Sequence, residues 1–264
     1  MLPQILIALA IVGGIGLIAA ILLAISSYFF NVPEDETVIK VRACLPGANC
    51  GACGYAGCDE YAKAVVKDNA KTNLCIPGAD SVAAEVAEIM GVSAEDVIEM
   101  VAVVSCTGNC EATQNKALYQ GVNTCKAASM IYGGPASCVY GCLGCGDCAN
   151  VCPYNAICVK DGLAYINRNL CLGCGLCVKQ CPKGIIKLVP TTVKTLVLCS
   201  NKEKGAVARK NCKNACIGCK KCELVCPEEA IRIENNLSYI DYDKCTRCGK
   251  CAENCPTGCI KCAD

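Results

Sequence analysis

The sequence predicts an α+β protein with an N-terminal single transmembrane helix, a small helical module and two tandem cysteine-rich units. Three observations lead to this prediction. Residues 1–33 carry no charged side chain, 30 of the 264 residues are cysteine, and one cysteine spacing recurs four times. Such cysteine usage is far above the ordinary level and indicates either a disulfide scaffold or thiolate ligands for a metal.

Composition excludes several function classes. The chain contains no histidine, so histidine-based zinc sites, histidine-dependent nucleophilic catalysis and haem ligation by histidine are not expected. The formal net charge is +1 and no long basic run is present, so we expect no nucleic-acid partner.

The N-terminal segment has the pattern of a membrane anchor. Ile5 to Phe30 is almost wholly apolar, and a helix of that length would exceed the hydrocarbon core of a bilayer, roughly 30 Å. A cleaved signal peptide would need a basic start and a shorter apolar run, and the sequence has neither. We therefore expect a single-pass protein of the cell membrane, with the lipid bilayer as one partner.

Four copies of the motif C-x2-C-x2-C-x3-C-P follow in two pairs. Mates within a pair lie 29 residues apart and the pairs lie 74 residues apart, so a duplicated unit is itself duplicated. The copies consist of Cys142, Cys145, Cys148 and Cys152; of Cys171, Cys174, Cys177 and Cys181; of Cys216, Cys219, Cys222 and Cys226; and of Cys245, Cys248, Cys251 and Cys255.

This spacing is typical of bacterial two-cluster ferredoxins, in which three cysteines hold one [4Fe–4S] cluster and the fourth holds the other. The crossed assignment gives site one (Cys142, Cys145, Cys148, Cys181), site two (Cys171, Cys174, Cys177, Cys152), site three (Cys216, Cys219, Cys222, Cys255) and site four (Cys245, Cys248, Cys251, Cys226). Zinc ribbons use two C-x2-C pairs instead, which does not match. Iron–sulfur chemistry suits a reducing compartment, so we expect the cysteine-rich part on the cytoplasmic side.

A different cysteine rhythm lies nearer the N-terminus. Cys50, Cys53, Cys58 and Cys75 have the spacing C-x2-C-x4-C-x16-C among several glycines, which allow a compact loop. These four thiolates suit a further [4Fe–4S] cluster, with a zinc site as the alternative. The chain thus divides into an anchor at 1–33, this module at 34–104, a cysteine-containing connector at 105–137, a first ferredoxin domain at 138–190 and a second at 191–264.

Periodicity predicts local structure around these motifs. Asp59 to Lys71 reads as a helix, and Ser81 to Val104 reads as two helical stretches broken at Gly91. A short apolar segment after each Cys-Pro pair reads as a strand. These segments begin at Ala156, Ile185, Ala230 and Cys259.

The combination resembles one family closely. An N-terminal apolar segment, the phrase Asn-Cys-Gly-x-Cys-Gly-Tyr-x-Gly-Cys at 49–58 and two ferredoxin units together resemble the B subunit of Rnf complexes, of the clostridial type. The resemblance implies a membrane complex that oxidises reduced ferredoxin, reduces NAD+ and moves Na+ or H+. It implies reduced ferredoxin as the electron donor, and other membrane and NAD-binding subunits as partners. It also raises Cys138 as a ligand in place of Cys145.

Five clusters would use twenty cysteines and leave ten. Cys125 and Cys199 differ by 74 residues, as do Cys138 and Cys212, so these cysteines follow the larger repeat. One hypothesis is a sixth cluster held by four of Cys106, Cys125, Cys138, Cys199 and Cys212; the alternative is buried free thiols. Cys259, Cys262 and Cys158 read as fillers instead of ligands.

Function follows from the clusters alone, because no catalytic residue, nucleotide-binding fingerprint or flavin signal stands out. We expect an electron-relay subunit of an ion-translocating ferredoxin:NAD+ oxidoreductase. The alternative is a membrane-tethered polyferredoxin that serves a hydrogenase or another reductase without ion pumping. Cations near the second pair of motifs either offset cluster charge or steer an acidic ferredoxin. They are Lys220, Lys221, Lys244, Arg247 and Lys250.

Overall fold

The computed structural model describes residues 2–29 and 35–262, with side chains described for 12–26 and 35–262. The chain is helical at α1 (Leu2–Phe29). Within the part of the chain described, no helix meets the length and hydropathy needed to cross a bilayer. The prediction of an N-terminal transmembrane helix is therefore wrong by this criterion; residues 1 and 30–33 of the predicted anchor lie outside the described residues.

The module around Cys50 is built from three helices. They are α2 (Glu36–Cys44), α3 (Cys58–Lys67) and α4 (Ala79–Met90), with a single 3₁₀ turn at Ile76–Gly78. Asp35 caps α2 by accepting a hydrogen bond from the Thr37 N–H at 2.9 Å. Tyr61 lies fully buried among Val41, Val65 and Val86, and its hydroxyl donates to the Lys71 carbonyl at 2.8 Å. This core holds the cysteine loop of residues 45–58 against the helices.

The first ferredoxin unit contains two antiparallel strand pairs. β1 (Met100–Val104) pairs with β4 (Ile186–Pro190), and the hairpin of β2 (Ile157–Lys160) and β3 (Leu163–Ile166) lies between them in sequence. Three short helices complete the unit: α5 (Cys125–Ser129), α6 (Asp147–Asn150) and α7 (Leu176–Gln180).

The second unit repeats the plan. β5 (Thr195–Val197) pairs with β8 (Ile260–Cys262), and β6 (Ile231–Glu234) forms a hairpin with β7 (Leu237–Ile240). Its helices are α8 (Gly205–Asn211), α9 (Lys221–Leu224) and α10 (Lys250–Glu253). The four strands predicted after the Cys-Pro pairs are thus confirmed, as are helices α3 and α4.

One local prediction is wrong. The second helical stretch predicted after Gly91 does not form: residues 92–99 are neither helix nor strand, and the end of the stretch forms strand β1 instead. Its β-branched run Val101-Ala-Val-Val104 favours extended backbone, and β4 supplies the pairing partner, with Val104 opposite Ile186. This strand belongs to the first ferredoxin unit, although it falls within the predicted module at 34–104.

Candidate metal centres

The four cysteine loops share one backbone shape. In each loop, the residues immediately before and immediately after the second cysteine have positive φ. Glycine fills six of these eight positions, and Lys220 and Arg247, both at φ 63°, fill the other two. Left-handed residues on both sides of the second cysteine curl the chain around a central point, as in anion-binding backbone nests. A cube bearing negative charge fits such a loop.

Close contact with neighbouring backbone also requires glycine at two loop positions. A Cβ added at Gly144 would lie 2.6 Å from the Gly162 carbonyl oxygen, and one at Gly173 would lie 2.4 Å from that of Met100. The loops of sites one and two are therefore pressed against the strands β1–β3, which leaves no space for a side chain at these positions.

The module brings its four predicted ligands together. Burial raises the pKa of Cys75 to about 11, and the nearby sulfurs of Cys58, Cys50 and Cys53 raise it further. Cys50 and Cys75 are buried, whereas the other two are half-buried. Four thiols thus lie close together beside the core around Tyr61.

Sites two, three and four also bring predicted ligands together. Burial raises the pKa of Cys177 to about 12, with further contributions from nearby thiols that include Cys171, Cys174 and Cys152. In the second unit, Cys216, Cys222 and Cys251 belong to one buried cluster, with Cys226 and Cys255 packed against it. Cys219 and Cys248 are exposed.

Site one differs from its predicted ligand set. One cavity is lined by Cys125, Cys142, Cys148 and Cys181, while the Cys145 thiol donates a hydrogen bond to the Leu143 carbonyl at 3.6 Å. Burial raises the pKa of Cys145 to about 11, and the adjacent Cys125 sulfur adds to this rise. Site one therefore has five nearby thiols, one more than the four ligands that a [4Fe–4S] cluster needs. The extra thiol is Cys125 and not Cys138, which faces another cavity.

That other cavity, which we call the bridging cavity, contains four cysteines, two from each unit. Cys106, Cys138, Cys199 and Cys212 line it, together with the fully buried Asn201. The Asn201 side-chain amide donates to the Cys138 sulfur at 3.6 Å. Burial raises the pKa of Cys106 to about 12 and that of Cys199 to about 11. Binding of a metal by Cys106 and Cys199 would therefore release their protons.

The cavity has a two-fold plan that the 74-residue offsets did not predict. The Cys106 sulfur accepts a hydrogen bond from the Cys142 N–H at 3.4 Å, and the Cys199 sulfur accepts one from the Cys216 N–H at 3.3 Å. Cys106 lies two residues after the end of strand β1, and Cys199 lies two residues after the end of strand β5. The structural counterpart of Cys199 is thus Cys106 and not Cys125, because an insertion between residues 107 and 137 shifts the sequence register.

The remaining cysteines lie outside these sites or beside them. The thiols of Cys110, Cys158 and Cys262 are exposed, and that of Cys44 is half-buried and bonded to the Lys40 carbonyl. Cys259 is buried with its sulfur 3.6 Å from that of Cys255. A hydrogen bond from Cys259 lowers the pKa of Cys216 to about 6 and raises that of Cys259 itself.

The donor set fits iron–sulfur clusters better than single ions. Within the described ranges, no three Cys, Asp or Glu side chains converge closely enough to hold one metal ion. The thiols of site one and those between the two units each line a cavity instead, and all thirty cysteines are free. Thiolates are the ordinary ligands of [4Fe–4S] cubes, which require ligands spread around a larger core than one ion.

Neighbouring sites follow one another in a line. Cys50 of the module influences the pKa of Cys174 in site two, and Cys148 of site one influences that of Cys177 in site two. Cys142 of site one adjoins Cys106 of the bridging cavity. Cys199 of that cavity adjoins Cys216 of site three. Cys222 of site three raises the pKa of Cys251 in site four. The order is therefore module, two, one, bridging cavity, three, four.

A linear array of four-thiol sites on ferredoxin-type units defines a multi-cluster iron–sulfur electron-transfer protein. Family models agree with this class. A model described as "Putative Fe-S cluster" matches residues 45–77, and one described as a 4Fe-4S binding domain matches 238–261. Models described as 4Fe-4S dicluster domains match 141–185 and 170–230.

The chain belongs to the family of B subunits of ion-translocating ferredoxin:NAD+ oxidoreductase complexes, the Rnf complexes. It is 47% identical over 98% of its length to the B subunit of the Na+-translocating complex of Acetobacterium woodii, and covers 78% of that protein. It is 45% identical over 94% of its length to the B subunit of the proton-translocating complex of Clostridium ljungdahlii, covering 88% of it. The B subunit of an ion-translocating oxidoreductase complex of Methanosarcina acetivorans is 36% identical, with 96% of each chain covered.

Proposed function

We propose that this chain is the electron-relay subunit of an ion-translocating ferredoxin:NAD+ oxidoreductase, and that it accepts electrons from reduced ferredoxin. The linear order of the thiol sites carries the proposal, because a relay needs neighbouring redox centres from one end of the chain to the other. The names of the relatives support the same role. They do not favour the alternative of a polyferredoxin without ion pumping.

We further propose six [4Fe–4S] clusters per chain: one in the module, four in the ferredoxin units and one in the bridging cavity. The bridging cavity supports the sixth, since its four thiols come two from each unit. Without a centre there, sites one and three would be separated by the whole cavity. A cluster at that point would make the relay continuous.

When bound, [4Fe–4S] clusters supply one-electron redox chemistry at low potential. This chain's residues hold the clusters, limit water around them and set their potentials. Backbone N–H groups are aimed at sulfur, such as that of Ala102, which donates to Cys171 at 3.4 Å. Such hydrogen bonds, together with burial, set the potential of each centre. The half-buried Tyr154 lies near Cys174 and Cys50, between site two and the module.

We also propose that the chain works at the cell membrane with its cysteine-rich part on the cytoplasmic side, beside membrane and NAD-binding subunits. The support is indirect: the relatives are subunits of ion-translocating complexes, and free thiols in this number suit a reducing compartment. Labelling of the exposed Cys110 by a membrane-impermeant maleimide tests the orientation. We expect labelling in inverted vesicles and none in intact cells; the reverse pattern would contradict it.

The first experiment is anaerobic NAD+ reduction by membranes supplied with reduced ferredoxin, with and without this chain. We expect activity to disappear when the chain is deleted and to return with the wild-type gene. A Cys171→Ala/Cys177→Ala variant, which removes two ligands of site two, should not restore it, whereas the exposed Cys158→Ala variant should. The rate should respond to an imposed Na+ or H+ gradient. Undiminished NAD+ reduction without the chain would reject the proposed role.

A further inference from the structure

The near-zero net charge of the chain conceals a strongly uneven distribution. Residues 200–222 contain seven Lys or Arg side chains and one acidic residue, so the rest of the chain has a net charge of −5. All seven cations are exposed, and none takes part in an ion pair among the described residues. The acidic residue, Glu203, is occupied by hydrogen bonds from the side-chain amides of Asn201 and Asn211. We call the surface formed by residues 202–221 the cationic face.

Contacts in the second unit place this face around site three. Gly205, the first residue of α8, lies so close to the third cysteine loop that an added Cβ would approach the Ile217 carbonyl oxygen to 2.5 Å. The Asn236 side chain donates to the Lys202 carbonyl at 3.1 Å, and Gly218 approaches the Asn236 backbone. Lys202 and Lys204 therefore flank the same loop that carries Lys220 and Lys221.

A cluster ligand reaches the surface at this point. Cys219 is exposed, whereas its counterparts Cys145 and Cys174 in the first unit are half-buried and buried. Cys145 lies beside Cys125, and Cys174 lies near the module, so both are covered by chain that the second unit lacks. Leu224, with 82% of its surface exposed, adds an apolar contact point nearby.

Compensation of cluster charge does not account for these cations. The equivalent stretch of the first unit, from Thr107 to Cys148, also leads from the bridging cavity into a cysteine loop, yet its net charge is zero. Moreover, Lys220 occupies a left-handed position that glycine fills in the other three loops. A side chain there costs about 1 kcal/mol or more. Holding clusters therefore requires neither this charge nor this residue.

We propose that the cationic face around Cys219 is the docking surface for an acidic one-electron carrier protein of the ferredoxin type. The proposal rests on the proposed function and adds the place of entry. Complementary charge speeds encounter and orients the carrier, and the exposed Cys219 lets the two redox centres approach closely. In the encounter, one electron passes from carrier to chain: the carrier is oxidised, the chain is reduced, and no atom is transferred. An anionic lipid surface would not need the exposed cluster ligand.

Charge reversal on the full, cluster-loaded chain tests the proposal. The variant Lys220→Glu/Lys221→Glu is compared with Lys67→Glu/Lys160→Glu, which makes the same change of net charge at exposed sites outside the face. Iron content is measured for both. Binding of an oxidised bacterial 2[4Fe–4S] ferredoxin is followed by titration calorimetry, and reduction by the reduced ferredoxin by anaerobic stopped-flow absorbance. Dithionite serves as a small reductant that needs no docking surface.

At low salt we expect the face variant to weaken binding and slow reduction by ferredoxin about tenfold or more. Its dependence on salt should flatten, while reduction by dithionite stays unchanged. The matched variant should change either quantity by less than about twofold, because its charges lie away from the encounter. Equal effects of the two variants, or no effect of either, would overturn the docking surface. Failure of ferredoxin to reduce the wild-type chain would instead count against the proposed function.

A second pair of variants guards against misfolding. Lys220→Gly removes one cation from the face and Arg247→Gly removes one outside it, and each restores the residue that suits a left-handed backbone. We expect only Lys220→Gly to weaken ferredoxin binding. Protection of the face by another subunit of the assembled complex, seen as loss of lysine labelling at 220 and 221 that ferredoxin cannot compete away, would also contradict the proposal.

Discussion

The two ferredoxin units have the same loops and the same pairing of strands, but they differ in what surrounds them. In the first unit, the tip of one loop lies beside Cys125 and the tip of the other beside the N-terminal module. In the second unit, Cys219 and Cys248 are exposed. Duplication thus conserved the metal sites while the surroundings diverged. The first unit is enclosed within the relay, and the second leaves the relay open to a partner.

The two units contribute two cysteines each to the bridging cavity. Substitutions there should have the largest effect, a loss of bound iron. Cys138 and Cys212 occupy equivalent positions, four residues before the first cysteine of each unit. If they hold a sixth cluster, Cys138→Ser and Cys212→Ser should each lower iron from about 24 to about 20 per chain. Iron and sulfide analysis of anaerobically purified protein measures this.

The control for that comparison is Cys110→Ser, since Cys110 is exposed and outside the cavity. It should keep the full iron content. Wild-type protein that is fully loaded yet contains only about 20 iron atoms would contradict the sixth cluster. Unequal losses from Cys138→Ser and Cys212→Ser would show that the cavity is not symmetric in its chemistry.

Site one breaks the equivalence of the units, because it has five candidate thiols. Cys125 lines the cavity and Cys145 lies beside it. We expect Cys125→Ser and Cys145→Ser each to retain nearly all iron, since the other thiol completes the set. The double variant should lose about four iron atoms. Electron paramagnetic resonance of the reduced protein would show one signal altered in each single variant.

A contrary outcome would be informative. Loss of about four iron atoms from Cys145→Ser alone would mean that Cys125 cannot act as a ligand, and that site one follows the ordinary ferredoxin pattern. The same loss from Cys125→Ser alone would mean that Cys145 is a free thiol.

Residue spacing in the sequence was sufficient to predict the structural features that depend on residues close together in the chain. The cysteine loops, the strands after each Cys-Pro pair and helices α3 and α4 of the module follow from local pattern, whereas helix α2 was not predicted. Strand β1 was missed because its partner β4 lies about 85 residues away, and short-range periodicity cannot show such pairing. The equivalence of Cys106 with Cys199 was missed because the insertion at 107–137 hides it. The role of Cys125 depends on how that insertion folds back.

Substitution of two glycines in the first unit should have a smaller effect, on the free energy of unfolding. Gly173 and Gly184 both have positive φ, at 64° and 59°, but only Gly173 has backbone within contact of an added Cβ. Gly184→Ala should cost about 1 kcal/mol, the strain of a left-handed alanine. Gly173→Ala should cost clearly more, because the loop must move away from β1. Anaerobic urea unfolding of the loaded protein, followed by cluster absorbance, compares the two; equal midpoints would contradict the close packing.

The smallest expected effect has the opposite sign and lies in the second unit. Arg247 has a left-handed backbone at a position where the equivalent residues are Gly144, Gly173 and Gly218. Arg247→Gly should stabilise the folded chain by about 1 kcal/mol, less a few tenths because glycine is more flexible when unfolded. The urea midpoint should therefore rise slightly. A fall in the midpoint would mean that the Arg247 side chain makes a stabilising contact with the cluster loop. In that case the cations of the fourth loop would offset cluster charge, while those of the cationic face would remain available to a partner.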